Sequence, residues 1–412
     1  MEKQRGGMGV RILHTSDWHL GRRLCGQERY GEFKSFLDWL TGVICREAVD
    51  ALVIAGDVFD SCTPPLWAQS LYYSFLTGLF ASPCKSVTVV AGNHDSAALL
   101  DAPAELLSRL NVFVVGEPQP PQREVFQLPG ADGTTGALCC AVPFLRSRDL
   151  CGAMAGTDVK ALSAAELAGF KGHYAAVVAE AEKLRDGRAI PVIATGHCFV
   201  AGGKVSDDDG VRDLSVGSID AVPLSAFPQG IDYLALGHLH EPQRCGGLES
   251  RRYSGSPLCA GFGEAGCRKS LFIVDFHGRA PSVRSVDVPQ FQKILRLTGT
   301  YDDLVREISR LVRENEPVWV EAHCTQQGTR GLNQAIRELA PEGAPVKILR
   351  VKIPDMSAAD RLGSAGELTE DWSPCEVFKL FLEEHDLSGE KGDALMSVYR
   401  EALEAARREG TE

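Results

Sequence analysis

The sequence predicts an α/β protein, and three observations support that fold class. Short apolar runs rich in β-forming residues recur through the first 240 residues, stretches with helical periodicity lie between them, and each apolar run ends in a polar cluster. An alternation of strands and helices is typical of β-sheets that are flanked by helices. We therefore expect an α/β core in this part of the chain.

The core elements are predicted from periodicity and from their boundaries. Helices are expected over Tyr30–Val49 and Pro65–Phe80. Ser163 and Glu166 have the spacing of a capping box, which predicts the start of another helix that ends near Arg185. The five core strands are expected at Val10–Thr15, Ala51–Ala55, Ser86–Ala91, Pro191–Thr195 and Tyr233–Leu236.

The chain after this core has a second, smaller α/β pattern. A strand-rich section, Arg252–Val288, completes the first domain, and Pro289 marks its predicted end. Strands and helices then alternate again until a polar segment that reads as a linker. Ser373, Pro374 and Glu376 have the N-cap, first-turn and capping-box positions of a helix, and a second amphipathic helix follows. The predicted divisions are residues 1–289 for the first domain, 290–355 for a capping domain, 356–371 for the linker and 372–412 for a C-terminal helical pair.

The composition excludes several classes of protein. Forty-three basic and 55 acidic residues give a net charge of −12, so the surface as a whole is not one that binds nucleic acid, and any such contact must be local or shared with a partner. The 13 cysteines have neither zinc-site nor Cys-x-x-Cys spacing, which favours reduced thiols in the cytoplasm. No apolar run approaches the ~18 residues of a membrane span. We expect a cytoplasmic protein without a membrane anchor.

The polar clusters at the five strand ends contain the residue types that bind metal ions. Strand ends converge on one crevice in α/β sheets, and residues i and i+2 of an extended segment point the same way. One such cluster is usually structural, but five predict a metal site, and Asp57 is suited to bridge two ions. The clusters are Asp17-Trp18-His19, Gly56-Asp57, Gly92-Asn93-His94-Asp95, Gly196-His197 and Gly237-His238-Leu239-His240.

The order of these clusters resembles that of the calcineurin-like metallophosphoesterases. Further segments are similar to the bacterial SbcD exonuclease subunits, and with the appendage and terminal helices the resemblance covers nearly the whole chain. It implies a core of two packed β-sheets flanked by helices, with a small α/β capping domain and a C-terminal helical pair. The additional segments are His14–Gly21, Ala55–Asp60 followed by Pro64 and Pro65, Val211–Asp213, and Tyr253–Pro257.

The resemblance also implies two divalent metal ions and assigns their ligands. The nitrogen and oxygen donors, without thiolate, suit manganese, with iron or zinc as competitors, and the family points to manganese. Two such ions stabilise the attacking and leaving oxygens in phosphoester hydrolysis. By resemblance the first ion is held by Asp17, His19, Asp57 and His240, and the second by Asp57, Asn93, His197 and His238.

Other polar residues near the clusters are candidates for contact with the substrate. His94 is expected to face the phosphate and to stabilise its charge or to protonate the leaving oxygen, and a supporting hydrogen bond is the alternative role. Asp60 matches the position that orients this histidine in related phosphatases. Loop cations are candidate contacts to nucleic-acid phosphates, although each alone is more often a solvated charge. These cations are Arg22, Arg23, Lys204 and Arg212.

The resemblance implies a DNA exonuclease and endonuclease subunit that acts in repair, recombination and replication. It would form a heterotetramer of two nuclease subunits and two SbcC-like coiled-coil ATPase subunits. The ATPase would dock on the terminal helices. Gly263–Ser270 lacks the Gly that precedes Lys in a P-loop, so ATP should be bound by that partner.

Two alternatives remain open at the level of sequence. The first is a calcineurin-like phosphodiesterase or phosphatase that acts without a motor, although Gly56–Ser61 lacks the Arg that phosphatases use after this Asp. The second is an inactive scaffold that recruits repair proteins. The presence of every expected ligand disfavours the scaffold.

Overall fold

The computed structural model describes residues 9–151, 159–203, 221–326, 331–341 and 343–354, and separate positions between Cys375 and Tyr399. The chain forms two compact units, one of Met1–Arg22 with Arg29–Gln292 and the other of Arg23–Glu28 with Lys293–Glu412. We call them the first and second units. The linker and most of the terminal helical pair lie outside the described residues, and the four domain divisions stay predictions.

The strands of the first unit form two six-stranded sheets. In chain order they are β1 (Arg11–Thr15), β2 (Ala51–Ala55), β3 (Ser86–Val90), β4 (Val112–Val115), β5 (Val125–Pro129), β6 (Thr135–Cys140), β7 (Val192–His197), β8 (Tyr233–Gly237), β9 (Gln243–Cys245), β10 (Leu248–Tyr253), β11 (Ser270–His277) and β12 (Ala280–Asp287). The first sheet has the order β12-β11-β1-β2-β3-β4, with β1 to β4 parallel and β11 antiparallel to β1. The second has the order β5-β6-β7-β8-β10-β9, with β6, β7, β8 and β10 parallel.

Helices cover the outer faces of both sheets. Leu40 lies in the cluster that buries the outer face of the first sheet, and Tyr174 lies in the corresponding cluster on the second. Between the sheets, Val53 and Ile193 belong to a shared apolar layer. The helices are α1 (Tyr30–Arg46), α2 (Leu66–Gly78), α3 (Ala97–Asp101), α4 (Ala104–Ser108), α5 (Ser147–Cys151) and α6 (Val159–Arg185).

All five predicted core strands are present, and they are divided between the sheets. Strands β1, β2 and β3 lie in the first sheet, whereas β7 and β8 lie in the second. The predicted capping box is wrong, because α6 already includes Val159 and Ser163 therefore lies inside the helix. The fully buried Glu166 instead accepts a hydrogen bond from the Ser147 hydroxyl of α5, so a tertiary contact uses the side chain that was expected to cap the helix.

The second unit is built on a parallel sheet of β13 (Lys293–Gly299), β14 (Val318–Cys324) and β15 (Val346–Lys352). Helices α7 (Tyr301–Arg313) and α8 (Leu332–Arg337) connect the strands, and Thr300 and Asp303 form a capping box at the start of α7. These elements confirm the alternation predicted for this segment. Among the described residues, no helix is long and apolar enough to cross a bilayer.

Candidate metal centre

The carboxyl ends of β1, β2, β3, β7 and β8 bring the seven predicted ligands together at one edge of the two sheets. Each sheet supplies part of the set, the first through the segments after β1 to β3 and the second through β7 and the segment after β8. All of these side chains are buried except that of Asn93, which is half-buried. The first sheet contributes Asp17, His19, Asp57 and Asn93, and the second contributes His197, His238 and His240.

Several of the predicted ligand residues have a backbone conformation that L-amino acids rarely adopt. The φ angles are 53° at Asp17, 48° at His19 and at Asp57, and 103° at His238. Each such residue costs on the order of 1–3 kcal/mol and persists only where neighbouring contacts hold it. Here the amide N–H of Asp17 donates to the Gly56 carbonyl at 3.0 Å, and that of His19 donates to the Asp57 carbonyl at 3.0 Å. The two loops therefore fix each other in the strained form.

Glycines next to the ligands let these loops approach one another. A Cβ atom at Gly56 would lie 2.1 Å from Nδ1 of His197, and one at Gly92 would lie 2.1 Å from Oδ1 of Asp57. Both distances are far below van der Waals contact. Any larger residue at these positions would push a ligand out of place, which explains why each of these two clusters places Gly directly before a ligand.

The first half-site consists of Asp17, His19 and His240. The Nε2 atoms of the two imidazoles are 3.0 Å apart, and a carboxylate oxygen of Asp17 lies within 4.8 Å of a ring nitrogen of each. Three donors that converge in this way can surround one cation.

The second half-site consists of Asn93, His197 and His238. The Asn93 Oδ1 atom is 3.0 Å from Nε2 of His197 and 3.2 Å from Nδ1 of His238. The other nitrogen of His197, Nδ1, is 3.0 Å from the Ala55 carbonyl oxygen, to which it donates. Nε2 of His197 is therefore the nitrogen at which a cation would bind, in place of a proton.

Asp57 lies between the two half-sites. Its Oδ2 atom is 3.3 Å from Nε2 of His197 and 3.6 Å from Nε2 of His19. Its Oδ1 atom accepts a hydrogen bond from the backbone N–H of His94 at 3.0 Å. One carboxylate thus touches a donor of each half-site, which is the geometry of a bridging ligand.

Burial and neighbouring charges together set the protonation states of the site. Burial lowers the pKa of His19 and of His238 to about 3, so both imidazoles offer a lone pair at neutral pH. Burial also opposes charge on His197, but the nearby Asp57 carboxylate outweighs it and raises the pKa of His197 to about 9. Burial would raise the pKa of Asp57, yet His197 and His94 hold it well below its usual range. A buried carboxylate among imidazoles attracts a cation, so the residues present fit a divalent metal ion.

Comparison with known proteins places this fold and site in a family. Residues 10–242 match the calcineurin-like phosphoesterase family, and residues 290–386 match the family described as the type 5 capsule protein repressor C-terminal domain. The chain is 38% identical over 387 residues to the SbcD subunit of the SbcCD nuclease of Escherichia coli strain K12, an alignment that covers 92% of this chain and 94% of that protein. The chain belongs to the SbcD family of calcineurin-like phosphoesterases.

Other members of the SbcD family align over shorter lengths. The proteins of the same name from Rhodobacter capsulatus and Bacillus subtilis are each 35% identical, over 319 and 272 residues respectively. These alignments cover 75% of this chain and 77% of the first relative, and 65% of this chain and 66% of the second.

In this SbcD-family site, His94 and Asp60 are joined through the backbone. The Nδ1 atom of His94 donates to the Asp60 carbonyl oxygen at 2.9 Å. The Asp60 carboxylate points elsewhere: its Oδ1 atom is 3.3 Å from Nδ1 of His19 and accepts a hydrogen bond from Nη1 of Arg22 at 3.1 Å. Asp60 therefore contacts His94 through its peptide group and the ligand His19 through its side chain.

Of the four candidate phosphate-binding cations, the structure describes Arg22 and Arg23. The Arg22 side chain is 13% exposed and is committed to Asp60 and to the Ala260 carbonyl, to which its Nε donates at 2.9 Å. Arg23 is exposed and belongs to the second unit. Lys204 and Arg212 lie outside the described residues.

Sequence reasoning missed two charged residues behind the first half-site. The carboxylate of Glu264 is 3.3 Å from Nδ1 of His240 and forms an ion pair with Lys269. Both lie in Gly263–Ser270, the segment whose sequence superficially resembles a P-loop. No spacing rule connects Glu264 with His240, and the only available signal was an opposite-charge pair next to an apolar strand.

Proposed function

We propose that this phosphoesterase is a nuclease subunit that hydrolyses DNA phosphodiesters with two divalent cations. The observation that carries the proposal is the bridging position of Asp57 between two sets of nitrogen and oxygen donors. Similarity to the SbcD subunit of the SbcCD nuclease over 92% of the chain supports nucleic acid as the substrate. We propose manganese as the physiological metal because the donor set contains carboxylate, amide and imidazole groups without thiolate.

When bound, two cations would supply Lewis acidity at the phosphate and lower the pKa of the attacking water. The residues of the chain hold and orient the reacting groups. Because a carbonyl only accepts hydrogen bonds, the contact with Asp60 fixes Nδ1 of His94 as a donor and leaves Nε2 as the nitrogen that gains and loses a proton. We propose that protonated Nε2 gives its proton to the leaving oxygen of the cleaved strand.

The proposed partner is an SbcC-like coiled-coil ATPase, with two copies of each subunit acting on DNA in repair, recombination and replication. The similar proteins carry the name of one subunit of such a complex. Lys269, the only lysine of the segment that resembles a P-loop, is 6% exposed and paired with Glu264, so it is not presented to a nucleotide phosphate. ATP binding is therefore assigned to the partner. The cytoplasmic location stays a prediction from the sequence.

The role of the C-terminal residues can be tested by truncation. A chain that ends at Asp371 should keep manganese-dependent cleavage of single strands but lose stimulation by the ATPase and ATP. Unchanged binding of the truncated chain to the ATPase would refute the proposed docking role.

The test of the nuclease activity compares wild type with His94→Gln on end-labelled hairpins and blocked-end duplexes in Mn²⁺. The variant should keep its metal content, because His94 is not among the proposed ligands, and should lose about 10²- to 10⁴-fold in cleavage rate, the usual size of a general acid contribution. His277→Gln is the matched control, since His277 is exposed at the far end of β11. Normal cleavage by the His94 variant would contradict the assignment.

The same assay separates the alternative function. A motor-independent phosphodiesterase would cleave a small phosphodiester and linear duplex DNA equally well without any ATPase. A nuclease of the proposed kind should prefer DNA and should respond to the ATPase and ATP.

A further inference from the structure

A buried ion pair of Glu264 and Lys269 lies directly behind His240. Only 3% of Glu264 and 6% of Lys269 are exposed to solvent. One carboxylate oxygen of Glu264 is 3.3 Å from Nδ1 of His240, and the other accepts hydrogen bonds from the Lys269 ammonium and from the Ala260 amide, the latter at 2.9 Å. Each oxygen of this carboxylate therefore has a partner.

Lys269 holds the backbone of the same histidine. Besides the bond to Glu264, its ammonium donates to the His240 carbonyl oxygen at 3.0 Å and to the Ser256 hydroxyl at 2.9 Å. Three donors meet three acceptors, so the ammonium is fully satisfied. The pair thus fixes both the main chain and the imidazole of His240.

Stability alone does not account for a buried pair of this kind. Removing two charges from water is costly, and apolar residues of similar volume are often as stable in the same place. A carboxylate behind a metal-binding histidine has a separate effect, because it holds Nδ1 as the donor, aims the lone pair of Nε2 and makes that nitrogen a better ligand.

The other histidine of the first half-site also has a carboxylate close to its Nδ1 atom, although the geometry is not that of a hydrogen bond. The Asp60 carboxylate lies 3.3 Å from Nδ1 of His19. In the second half-site, Nδ1 of His197 donates to an uncharged peptide carbonyl, and His238 turns its own Nδ1 toward Asn93. A carboxylate oxygen thus lies 3.3 Å from Nδ1 of each histidine of the first half-site, whereas in the second the Asp17 carboxylate is 4.0 Å from Nδ1 of His197, beyond hydrogen-bond distance.

We propose that Glu264, held by Lys269, is a positioning residue that makes the first half-site bind its divalent cation more tightly than the second. The inference rests on the proposed two-cation function and adds to it an order of affinity and two residues outside the five ligand clusters. Glu264 acts through His240 and does not touch the substrate.

Titration with Mn²⁺, followed by the electron paramagnetic resonance of the free ion, tests the proposal on the full-length chain. Wild type should bind one cation tightly and one more weakly. Glu264→Gln should weaken the tight class about 10- to 100-fold and leave the weak class unchanged, because an outer partner of a ligand has an effect of that size. Glu124→Gln is the matched control: Glu124 is also fully buried and also holds a histidine, His173, at 2.8 Å, but away from the metal centre.

Two further variants separate positioning from a general loss of structure. Glu264→Gln with Lys269→Met removes both charges, so no unpaired ammonium is buried, and it should fold as judged by circular dichroism while keeping the weakened tight class. In a His240→Ala background, Glu264→Gln should have no further effect on Mn²⁺ affinity, because coupled residues are not additive. Unchanged Mn²⁺ constants in folded Glu264→Gln, or an equal loss in the His240→Ala background, would overturn the proposal. A wild type that binds no Mn²⁺ would instead overturn the proposed function.

Discussion

The two half-sites differ in charge although they share Asp57 and have the same number of histidines. The first contains the carboxylate of Asp17, whereas the second contains the neutral amide of Asn93 in the equivalent place. The histidines of the first are backed by the carboxylates of Asp60 and Glu264, whereas His197 of the second rests on a peptide carbonyl. Negative charge is therefore concentrated on one side of the bridging residue.

Groups that contact the outer nitrogen of a ligand histidine tune metal affinity, so this contrast predicts unequal affinities for the two half-sites. The two supports of the first half-site are also linked. Arg22 donates to the Asp60 carboxylate and to the Ala260 carbonyl, and the amide of Ala260 donates to Glu264. One network of contacts thus connects the groups behind both histidines.

The largest effect is expected from Asp57→Asn, which should remove the difference between the half-sites by weakening both. The variant loses the charge that lies within 3.6 Å of a histidine on each side, so metal content should fall toward zero and cleavage by on the order of 10³-fold. Metal analysis after gel filtration and a cleavage assay measure these losses. Asp275→Asn, on β11 and paired with Arg11, is the control. Retention of both ions by Asp57→Asn would refute the bridging role.

Acid should weaken the contact between Glu264 and His240, because the Glu264 carboxylate titrates whereas the peptide carbonyl behind His197 does not. The pKa of Glu264 is lowered from 4.5 to about 2, so its contribution to stability is present above its ordinary pKa and is lost as the pH falls toward about 2. The shift corresponds to roughly 3 kcal/mol for this buried group. In a chelator, the free energy of unfolding should fall more steeply between about pH 5 and about pH 2 for wild type than for Glu264→Gln. Equal slopes in urea titrations would contradict this expectation.

The smallest effect is expected from Asp60→Asn, which removes charge behind His19 but keeps the peptide carbonyl that holds His94. The Mn²⁺ affinity of the first half-site should fall about 10-fold, and cleavage should recover at saturating Mn²⁺. Asp38→Asn is the control, since Asp38 is exposed and pairs with Lys34 within α1. A rate that stays low at saturating Mn²⁺ would show that Asp60 acts on His94 as well.

The ends of the core strands were predictable because each is marked by a pattern of only a few consecutive residues. An apolar run followed by Gly and a ligand, as at Gly56 and Asp57, contains in a few residues both the strand and the tight approach that the structure confirms. The same pattern follows four of the five predicted core strands, and β1 differs only in having Ser16 in place of Gly before its first ligand. It did not reveal that β7 and β8 belong to a different sheet from β1, because the carboxyl ends of both sheets meet at one edge and the local pattern is identical.

The supports behind the ligands were not predictable because they depend on side-chain direction and on distant contacts. Arg22 lies in a loop beside a ligand cluster, which suits a solvent-facing cation, yet its guanidinium turns inward to Ala260, a residue 238 positions away in the sequence. Asp60 has the spacing of a residue that orients His94. Its backbone carbonyl does contact His94, but its side chain contacts His19. Local sequence does not distinguish these outcomes.

The pairing of β1 with β11 has a consequence for how the protein is made. Strand β1 carries Asp17 just beyond its end, but its neighbour in the sheet places Asp275 opposite Arg11. During translation, β1 therefore gains its second neighbour only after residues far downstream have been synthesised. Glu264 and Lys269 are synthesised immediately before β11. A ribosome-bound fragment that ends before Glu264 contains all seven ligands but not the pair that fixes His240. Under the proposal above, the first half-site should reach its full Mn²⁺ affinity only after Glu264, Lys269 and β11 have been synthesised.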